Sequence, residues 1–248
     1  MAKKAQPKKV KNKRLPVREK TGQYFYAPEV TDGVVAFDTF ESRHIVRVLR
    51  KRKGDRLWIT NGKGRLFEAE IFDDYSTAVQ AHIVRVKEFE PPVKHLHLFL
   101  APLKSADRMT FALEKAVELG VTSITPVLTR YTERKQIKYE RWEKIIISAL
   151  KQSMRVFKPL LSESVSLMQL EPVEKQRFVA LCEASKFENK TYEVSKEAAV
   201  LIGPEGGFSQ AEKQYLFTSG WKAVSLGKQR LRAETAVVVA VCKFFQND

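Results

Sequence analysis

The sequence predicts an α/β protein in which a small β-rich domain precedes a larger domain with a mainly parallel sheet. In the first part of the chain, short apolar runs alternate with turn residues such as "NGKG" at 61–64, a pattern typical of antiparallel strands. Farther along, apolar strand patterns alternate with amphipathic helical patterns, which indicates parallel pairing. A stretch with two prolines lies between these parts. We therefore predict domains at 21–88 and 95–248, joined by a linker at 89–94.

The first predicted domain has four strand candidates and one helix candidate. The helix candidate has apolar residues at helical spacing and a serine at the N-cap position. Turn residues between the strands favour a small antiparallel sheet or barrel. The strands are predicted at 33–37, 55–60, 65–72 and 77–86, and the helix at 42–50 with Ser42 as its N-cap.

The second predicted domain alternates strands and helices. Its helices have clear boundary signals, because Gly120 follows one helix and Ser209 with Glu212 forms an S-x-x-E capping box before another. The strands are predicted at 95–103, 124–128, 177–183, 198–203 and 222–227. The helices are predicted at 105–120, 137–155, from Ser209 onward, and at 233–245.

The charge balance favours a polyanionic partner. The chain has 44 Lys and Arg against 29 Asp and Glu, which gives a formal net charge of +15. Residues 1–20 contain nine basic side chains and one acidic one, without the apolar region of a signal peptide, so we predict a disordered basic arm. Such a surplus suits nucleic acid first and an anionic membrane second. No apolar run approaches the ~20 residues that a transmembrane helix needs.

The cysteines and histidines do not predict a metal site. Cys182 and Cys242 lack metal-ligand spacing and lie in apolar stretches, so we interpret them as small core residues in a reducing compartment. His95 and His97 would share one face of a strand, but no further ligand is suitably spaced nearby.

Two loops near the C-terminus share one layout. "LIGPEGGFSQAEK" at 201–213 and "SLGKQRLRAETA" at 225–236 each pass from an apolar strand through glycine and a polar loop into a helix. Such loops meet at the carboxyl edge of a parallel sheet, where open α/β sheets bind ligands. A tight turn would explain the first loop alone, but the pair favours a pocket lined by bare backbone. The fingerprints of dinucleotide, P-loop, serine-hydrolase and zinc-protease sites are absent from the sequence.

Four segments together carry a family resemblance. They are the paired C-terminal motifs "LIGPEGGFS" and "LGKQRLRAETA", "HIVRVLRKRKGD" at 44–55, "KSADRMTFALEKAVELGVTSITP" at 104–126, and "SALKQSMR" at 148–155. In their order along the chain, they resemble the RsmE family of bacterial 16S rRNA (uracil-N3)-methyltransferases, a branch of the SPOUT superfamily. The segment at 44–55 is similar to the family's PUA-like RNA-binding domain, and the others are similar to its catalytic domain.

The resemblance implies a small PUA-like β-barrel followed by a SPOUT-type parallel-sheet domain whose C-terminal segments form a deep trefoil knot. It implies S-adenosylmethionine (SAM) as methyl donor and a uridine in the decoding region of 16S rRNA, within the small ribosomal subunit, as target. It also implies a homodimer in the bacterial cytoplasm. The implied cofactor contacts are Leu181, Cys182, Glu183, Ile202, Gly203, Pro204, Glu205, Gly206, Gly207, Ser225, Leu226, Gly227, Gln229, Leu231 and Arg232.

The chemistry of methylation at uracil N3 gives two arginines candidate roles. Attack by N3 requires its proton to leave or the resulting anion to be stabilised, and Arg232 is a candidate to stabilise that charge. Binding of the cofactor carboxylate or an RNA phosphate is its alternative role. Arg155 is a candidate to hold the target nucleotide, with capping of a helix as its alternative. Glu205 either orders its loop or acts as a base, so no general base is identified.

Basic side chains outside the pocket are candidates for RNA binding, because recognition of an unpaired base must also use phosphate contacts and shape. They are His44, Arg47, Arg50, Lys51, Arg52, Lys104 and Arg108.

Two positions depart from the family pattern. Gln229 stands where the family commonly has arginine, with Arg230 next to it, and Lys151 stands where many members have glutamate. Two other interpretations stay open: a SPOUT methyltransferase acting on another RNA atom such as a ribose 2′-hydroxyl, and a non-catalytic RNA-binding factor in ribosome assembly. The methylated nucleoside distinguishes the first from uracil-N3 methylation, and cofactor binding tests the second.

Overall fold

The computed structural model describes residues 23–182 and 196–245. The basic arm predicted at 1–20 and the predicted cofactor contact Glu183 lie outside these ranges. Contacts divide the chain into two compact units. The first comprises the chain up to Pro91 together with Leu150–Lys158, and the second comprises Pro92–Ala149 and the chain from Pro159 onward.

The first unit is built on one five-stranded sheet. Its strands are β1 (Phe25–Tyr26), β2 (Val34–Ala36), β3 (Arg56–Thr60), β4 (Arg65–Asp73) and β5 (Gln80–Glu88). They lie in the order β1-β3-β4-β5-β2, with every pair antiparallel except β1 with β3. The Asn61 side chain accepts hydrogen bonds from the backbone N–H groups of Lys63 and Arg65 and so fixes the β3–β4 turn. The predicted small antiparallel sheet is confirmed.

The helix of the first unit begins earlier than the sequence suggested. Helix α1 (Thr39–Arg43) continues into a π-helical turn, His44–Val48. Ser42 is therefore not the N-cap, and that prediction is wrong. Asp38 caps α1 by accepting a hydrogen bond from Glu41 N, whereas the Ser42 hydroxyl is buried and accepts a hydrogen bond from Val79 N at 2.9 Å.

The segment Leu150–Lys158 is tied to the first unit by backbone hydrogen bonds. Tyr24 N donates to Lys151 O, Gly64 N donates to Val156 O, and Lys158 N donates to Gly62 O, at 2.8–3.0 Å. The Lys151 ammonium also forms an ion pair with Glu41 on α1, and both side chains are largely buried. Lys151, the residue that departs from the family pattern, thus has a partner of opposite charge.

The second unit contains a parallel sheet with helices. Its strands are β6 (His95–Leu100), β7 (Ser123–Leu128), β8 (Leu160–Leu161), β9 (Val165–Ser166), β10 (Gln176–Ala180), β11 (Glu197–Ile202) and β12 (Lys222–Val224). The order is β12-β10-β11-β6-β7-β8, with β9 also paired to β7, and every pair is parallel. The predicted α/β class, with a parallel-sheet domain following a small β domain, is confirmed.

The helices of the second unit carry the predicted boundary signals. They are α2 (Ala106–Leu119), α3 (Tyr139–Gln152, whose last residues group with the first unit), α4 (Gln210–Thr218) and α5 (Ala233–Phe245). Ser105 caps α2, and Gly120 ends it with a φ of 107°. Ser209 and Glu212 form the complete capping box of α4. Helices α2 and α5 pack against each other.

The strand register brings several loops to one edge of the sheet. Ala180 at the end of β10 pairs with Val224 at the end of β12, and Ile202 at the end of β11 pairs with Leu100 at the end of β6. The loops that follow these parallel strands therefore leave the sheet on the same side. The trefoil knot implied by the family resemblance stays a prediction. In the ranges that the structure describes, no helix has the length and apolar character needed to cross a membrane.

A polar network is buried beside strand β6. His97 Nδ1 lies 2.7 Å from Glu174 Oε1, and His97 Nε2 lies 2.8 Å from Thr125 Oγ1. Burial raises the pKa of the Glu174 carboxyl, but its hydrogen bonds and the charges of Arg177 and of His97 when protonated lower that pKa by more, so the net shift is downward. The carboxylate is therefore stabilised in its ionised form.

We predict that Glu174→Gln lowers the melting temperature (Tm) at about pH 7 and has a smaller effect at about pH 3. Because the folded-state pKa lies below the ordinary value of 4.5, the carboxylate stabilises the fold above that value and loses this effect as pH falls through the folded-state pKa. Replacing a charged hydrogen bond by a neutral one costs on the order of 1 kcal/mol, or about 2–4 °C in Tm.

Thermal unfolding followed by circular dichroism measures this effect, and Glu171→Gln, at an exposed glutamate nearby, is the matched control. An equal loss of Tm at both pH values would contradict the ionic contribution of Glu174.

Candidate functional site

The loops at the sheet edge enclose one cavity of ≈ 690 Å³. The walls come from the loops after β10, β11 and β12, with Arg108 from α2 and the first turn of α5. All the predicted cofactor contacts within the described ranges line it, namely Leu181, Cys182, Ile202, Gly203, Pro204, Glu205, Gly206, Gly207, Ser225, Leu226, Gly227, Gln229, Leu231 and Arg232. Two motifs about twenty residues apart in sequence are thus joined in space.

The loop after β11 is shaped by its own packing. A Cβ atom at Gly203 would lie 2.8 Å from two ring atoms of Phe208, and Phe208 is buried in the hydrophobic core and also lines the cavity. The loop then turns through Gly207, whose φ of 69° favours glycine and whose N–H donates to Pro204 O. Glycine is therefore required at 203 by packing against Phe208 and at 207 by the positive φ of the turn.

The predicted role of Glu205 in ordering the loop has structural support. Glu205 Oε1 accepts a hydrogen bond from Lys104 N at 3.2 Å and so links the loop after β11 to the loop after β6. The Lys104 ammonium forms an ion pair with Glu133 at 3.0 Å. Lys104, a predicted RNA contact, thus has an acidic neighbour at an exposed position.

The loop after β12 leads directly into α5. The Ser225 hydroxyl donates to Gly227 O at 3.0 Å, and Lys243 Nζ donates to Ser225 O at 3.2 Å. Arg232 O accepts the hydrogen bond from Ala236 N that starts the first turn of α5. The N-terminal end of α5, with its partial positive charge, therefore lies at the cavity.

Basic side chains predominate around the cavity. Its lining includes Arg108, Lys213, Lys228, Arg230 and Arg232, whereas Glu205 is the single carboxylate among the described residues that line it. This excess favours anionic groups such as a carboxylate or a phosphate. Lys213 and Lys228 were not predicted as site residues, although both lie within the two C-terminal motifs.

Arg108 and Glu234 form an ion pair beside the cavity. Arg108 Nε lies 3.6 Å from Glu234 Oε1, and the Glu234 side chain is buried. Arg108, predicted as an RNA contact, therefore lies in the cavity wall with its guanidinium oriented by the second residue of α5.

Arg155 is placed in the first unit and is not among the residues that line the cavity. Burial lowers the pKa of its guanidinium. Its Nε is buried and has no hydrogen-bond partner among the described residues, while its backbone N–H caps α3 by donating to Leu150 O at 3.1 Å. A buried, incompletely paired cation is costly unless an anion binds it. The role of Arg155 in holding the target nucleotide stays a prediction.

Both cysteines depart from the core position that the sequence suggested. Cys182 is exposed at the cavity wall, because it lies beyond the end of β10, and Cys242 is half-buried on α5. The prediction of two core cysteines is therefore wrong. Within the described ranges, no group of three or more His, Cys, Asp or Glu side chains could hold a metal ion.

The predicted RNA contacts of the first unit form one continuous segment. Arg47, Arg50 and Arg52 are exposed, Lys51 is half-exposed, and His44 Nε2 hydrogen-bonds the Gln23 amide at 2.8 Å. The segment lies in the π-helical turn and the loop that follows it. It is a basic surface on the first unit.

Comparison with known proteins identifies both parts of the chain. Residues 89–244 match the family model of an RNA methyltransferase domain, and residues 38–84 match that of an RNA methyltransferase PUA domain. The chain is 30% identical over 219 residues to ribosomal RNA small subunit methyltransferase E of Buchnera aphidicola subsp. Schizaphis graminum, covering 84% of this chain and 88% of the relative.

Solved structures show the same likeness. A protein from Porphyromonas gingivalis, described as a probable rRNA-methyltransferase, has a TM-score of 0.78 at 33% identity, with 88% of this chain and 95% of that chain covered. The ribosomal RNA small subunit methyltransferase E of Neisseria gonorrhoeae, solved bound to S-adenosyl methionine, has a TM-score of 0.77 at 30% identity, with 90% and 96% covered.

The parallel sheet, the cavity formed by the loops after β10, β11 and β12, and the family models define an RNA methyltransferase with a PUA domain. Within that class, the chain belongs to the ribosomal RNA small subunit methyltransferase E family.

Proposed function

We propose that this protein transfers a methyl group from SAM to N3 of a uridine in the decoding region of 16S rRNA. The observation that carries the proposal is the cavity at the carboxyl edge of the sheet, where both family motifs meet. The names of the relatives support the small-subunit rRNA substrate, and the Neisseria gonorrhoeae structure supports the cofactor.

The residues around the cavity fit SAM in size and chemistry. A volume of ≈ 690 Å³ falls in the range of small-molecule sites. Leu181, Ile202, Leu226 and Leu231 offer apolar surface for the adenine ring, and the turn backbone offers hydrogen-bonding groups beside it. The basic side chains and the start of α5 suit the carboxylate of the methionine moiety. When bound, SAM supplies an electrophilic methyl group on its sulfonium.

Arg232 is assigned to the uracil ring. N3 becomes a nucleophile as its proton leaves, and negative charge then spreads onto the neighbouring carbonyl oxygens. A guanidinium at the cavity can stabilise that charge. Binding of the SAM carboxylate is the competing role for Arg232, and the two roles predict different kinetic changes. Glu205 orders the loop after β11 through Lys104 N.

The target uridine must be unpaired or flipped out of a helix, because N3 lies on the Watson–Crick edge. Much of the binding energy then comes from contacts outside the cavity, such as those of the basic segment in the first unit. Arg155 is assigned to the target nucleotide or its phosphate, which would satisfy the unpaired Nε. A homodimer in the bacterial cytoplasm is part of the proposal and rests on the family resemblance.

The decisive experiment incubates the purified protein with methyl-labelled SAM and unmodified small ribosomal subunits, and then digests the rRNA to nucleosides. We expect label in 3-methyluridine. Label in another nucleoside would retain the cofactor but overturn the target atom. Absence of label despite RNA binding would favour a non-catalytic assembly factor. Subunits that already carry the methyl group are the matched control and are expected to remain unlabelled.

A further inference from the structure

Exposed aromatic side chains accompany the basic residues of the first unit. Phe40 is 79% exposed and Tyr75 is 72% exposed, and Val48 is also exposed. The opposite face of the same helical segment is buried in the core through Ile45 and Val46. Within the part of the chain that the structure describes, one face of this segment is therefore packed in the core and the face with Phe40 is left largely exposed.

The exposed face of this helical segment carries one aromatic ring and two guanidinium groups. Arg43 and Arg47 follow Phe40 by three and seven positions, a spacing that places all three on one side of a helical segment. Both arginines are exposed, and neither forms an ion pair with a residue that the structure describes. The acidic side chains nearby are engaged within the unit. Glu41 pairs with Lys151 and Asp38 caps α1, while Asp73 and Asp74, which precede Tyr75, accept hydrogen bonds from Tyr75 N and Lys53 N.

Tyr75 lies on a turn that docks against the start of the same helix. The turn closes with a hydrogen bond from Ala78 N to Tyr75 O at 3.0 Å. The Thr39 hydroxyl donates to Thr77 O at 3.2 Å, which joins the turn to α1. We call the set of Phe40, Arg43, Arg47, Val48 and Tyr75 the aromatic–basic face.

We propose that the aromatic–basic face binds a single-stranded segment of RNA by stacking unpaired bases on Phe40 and Tyr75. Exposed rings beside unpaired guanidinium groups match this ligand, because unpaired bases stack on aromatic planes while arginines neutralise phosphates. A duplex hides its base faces and can use only the charges. The inference deepens the proposed function, on which its biological role rests, by defining the RNA conformation that the first unit recognises.

The test compares the double variant Phe40→Ala/Tyr75→Ala with the wild-type chain. Fluorescence anisotropy measures binding to a labelled single strand of roughly ten nucleotides and to a duplex of the same composition. Removal of two stacking rings is expected to weaken single-strand binding about tenfold or more and to leave the salt dependence unchanged. Duplex binding is expected to stay within about twofold of wild type.

Reversal of the charge at two arginines is expected to affect single-strand and duplex binding alike, in contrast to removal of the rings. Arg47→Glu/Arg50→Glu is expected to weaken binding to both RNAs and to reduce the slope of log K against log salt by about 1–2. Phe217→Ala, at a phenylalanine of α4 that is 45% exposed, controls for loss of an exposed ring elsewhere. Phe40→Trp is expected to retain single-strand affinity.

Three results would overturn the inference. The first is single-strand binding by the Phe40→Ala/Tyr75→Ala variant that equals wild type. The second is a loss of duplex binding by that variant as large as its loss of single-strand binding. The third is normal binding of both RNAs together with lost binding to intact small subunits, a result that would assign the face to a ribosomal protein. SAM titration and the methylation assay test the proposed function, whereas RNA binding tests the aromatic–basic face. A wild-type chain that stacks RNA but transfers no methyl group would disprove the proposed function and leave this inference standing.

Discussion

Replacement of Arg232 by alanine is expected to lower kcat for rRNA methylation by about 100-fold or more, the effect typical of losing one group that stabilises transition-state charge. Arg232 lies at the start of α5, in the wall of the cavity, and its side chain is exposed there. If it acts on the uracil oxygens, the loss falls on kcat, while the KM for SAM changes little. If it binds the SAM carboxylate, the KM for SAM rises and kcat is retained.

Arg230→Ala is the matched control for this prediction, because Arg230 lines the same cavity and is also exposed. Its removal lowers the local charge equally but leaves Arg232 in place. Arg232→Lys separates charge from geometry, since lysine keeps the charge and loses the planar fork of donors. An Arg232→Ala enzyme with wild-type kcat and KM would remove Arg232 from the catalytic assignment.

Local patterns were sufficient to predict the parallel sheet and most of its helices. The capping box of Ser209 and Glu212 marks the start of α4, and Gly120 marks the end of α2. Each signal involves only residues close in sequence to the helix end that it marks, so it can be identified from the sequence alone. The sheet edge as ligand site also followed, because parallel strands with helical connections place their following loops together.

Features that depend on distant contacts could not be predicted in this way. The two-residue strands β1, β8 and β9 are too short to show alternation, and only their partners define them. The grouping of Leu150–Lys158 with the first unit depends on hydrogen bonds to residues roughly ninety or more positions away. Ser42 looked like an N-cap because its side chain suits that position, but its hydroxyl bonds to Val79 N across the unit.

In the candidate site, too, some residues follow from local patterns and others depend on distant contacts. The two glycine motifs predicted the loop residues of the cavity, whereas Arg108 reaches it from α2 through its ion pair with Glu234. The Arg108–Glu234 ion pair depends on the packing of α2 against α5, which residue spacing within either helix does not predict. The sequence could also not distinguish a glycine needed for a ligand from one needed for packing, and Gly203 shows why this distinction matters.

Gly203→Val is expected to raise the Kd for SAM at least about tenfold, a change equivalent to about 1.4 kcal/mol of binding free energy. The cause is steric. A Cβ atom at this position would lie 2.8 Å from Cε2 and Cζ of Phe208. Phe208 is buried, packs in the core with Leu201, Leu216 and Trp221, and also lines the cavity. A ring that moves away from the new Cβ atom therefore disturbs the core packing or enters the cavity. If the loop after β11 shifts instead, it displaces the backbone that lines the cavity.

Isothermal titration with SAM measures the change, and two further variants separate its causes. Gly220→Ala strains a backbone position with a φ of 80° outside the cavity, so it destabilises the second unit without moving the loop and should leave the Kd unchanged. Gly203→Ala is expected to weaken binding less than valine does, and Gly203→Ala/Phe208→Leu to recover part of that loss because the smaller side chain makes room. Wild-type affinity in the Gly203→Val variant would mean that the loop after β11 does not form the SAM site, whereas recovery in the double variant would show that the Phe208 ring transmits the change from Gly203 to the cofactor.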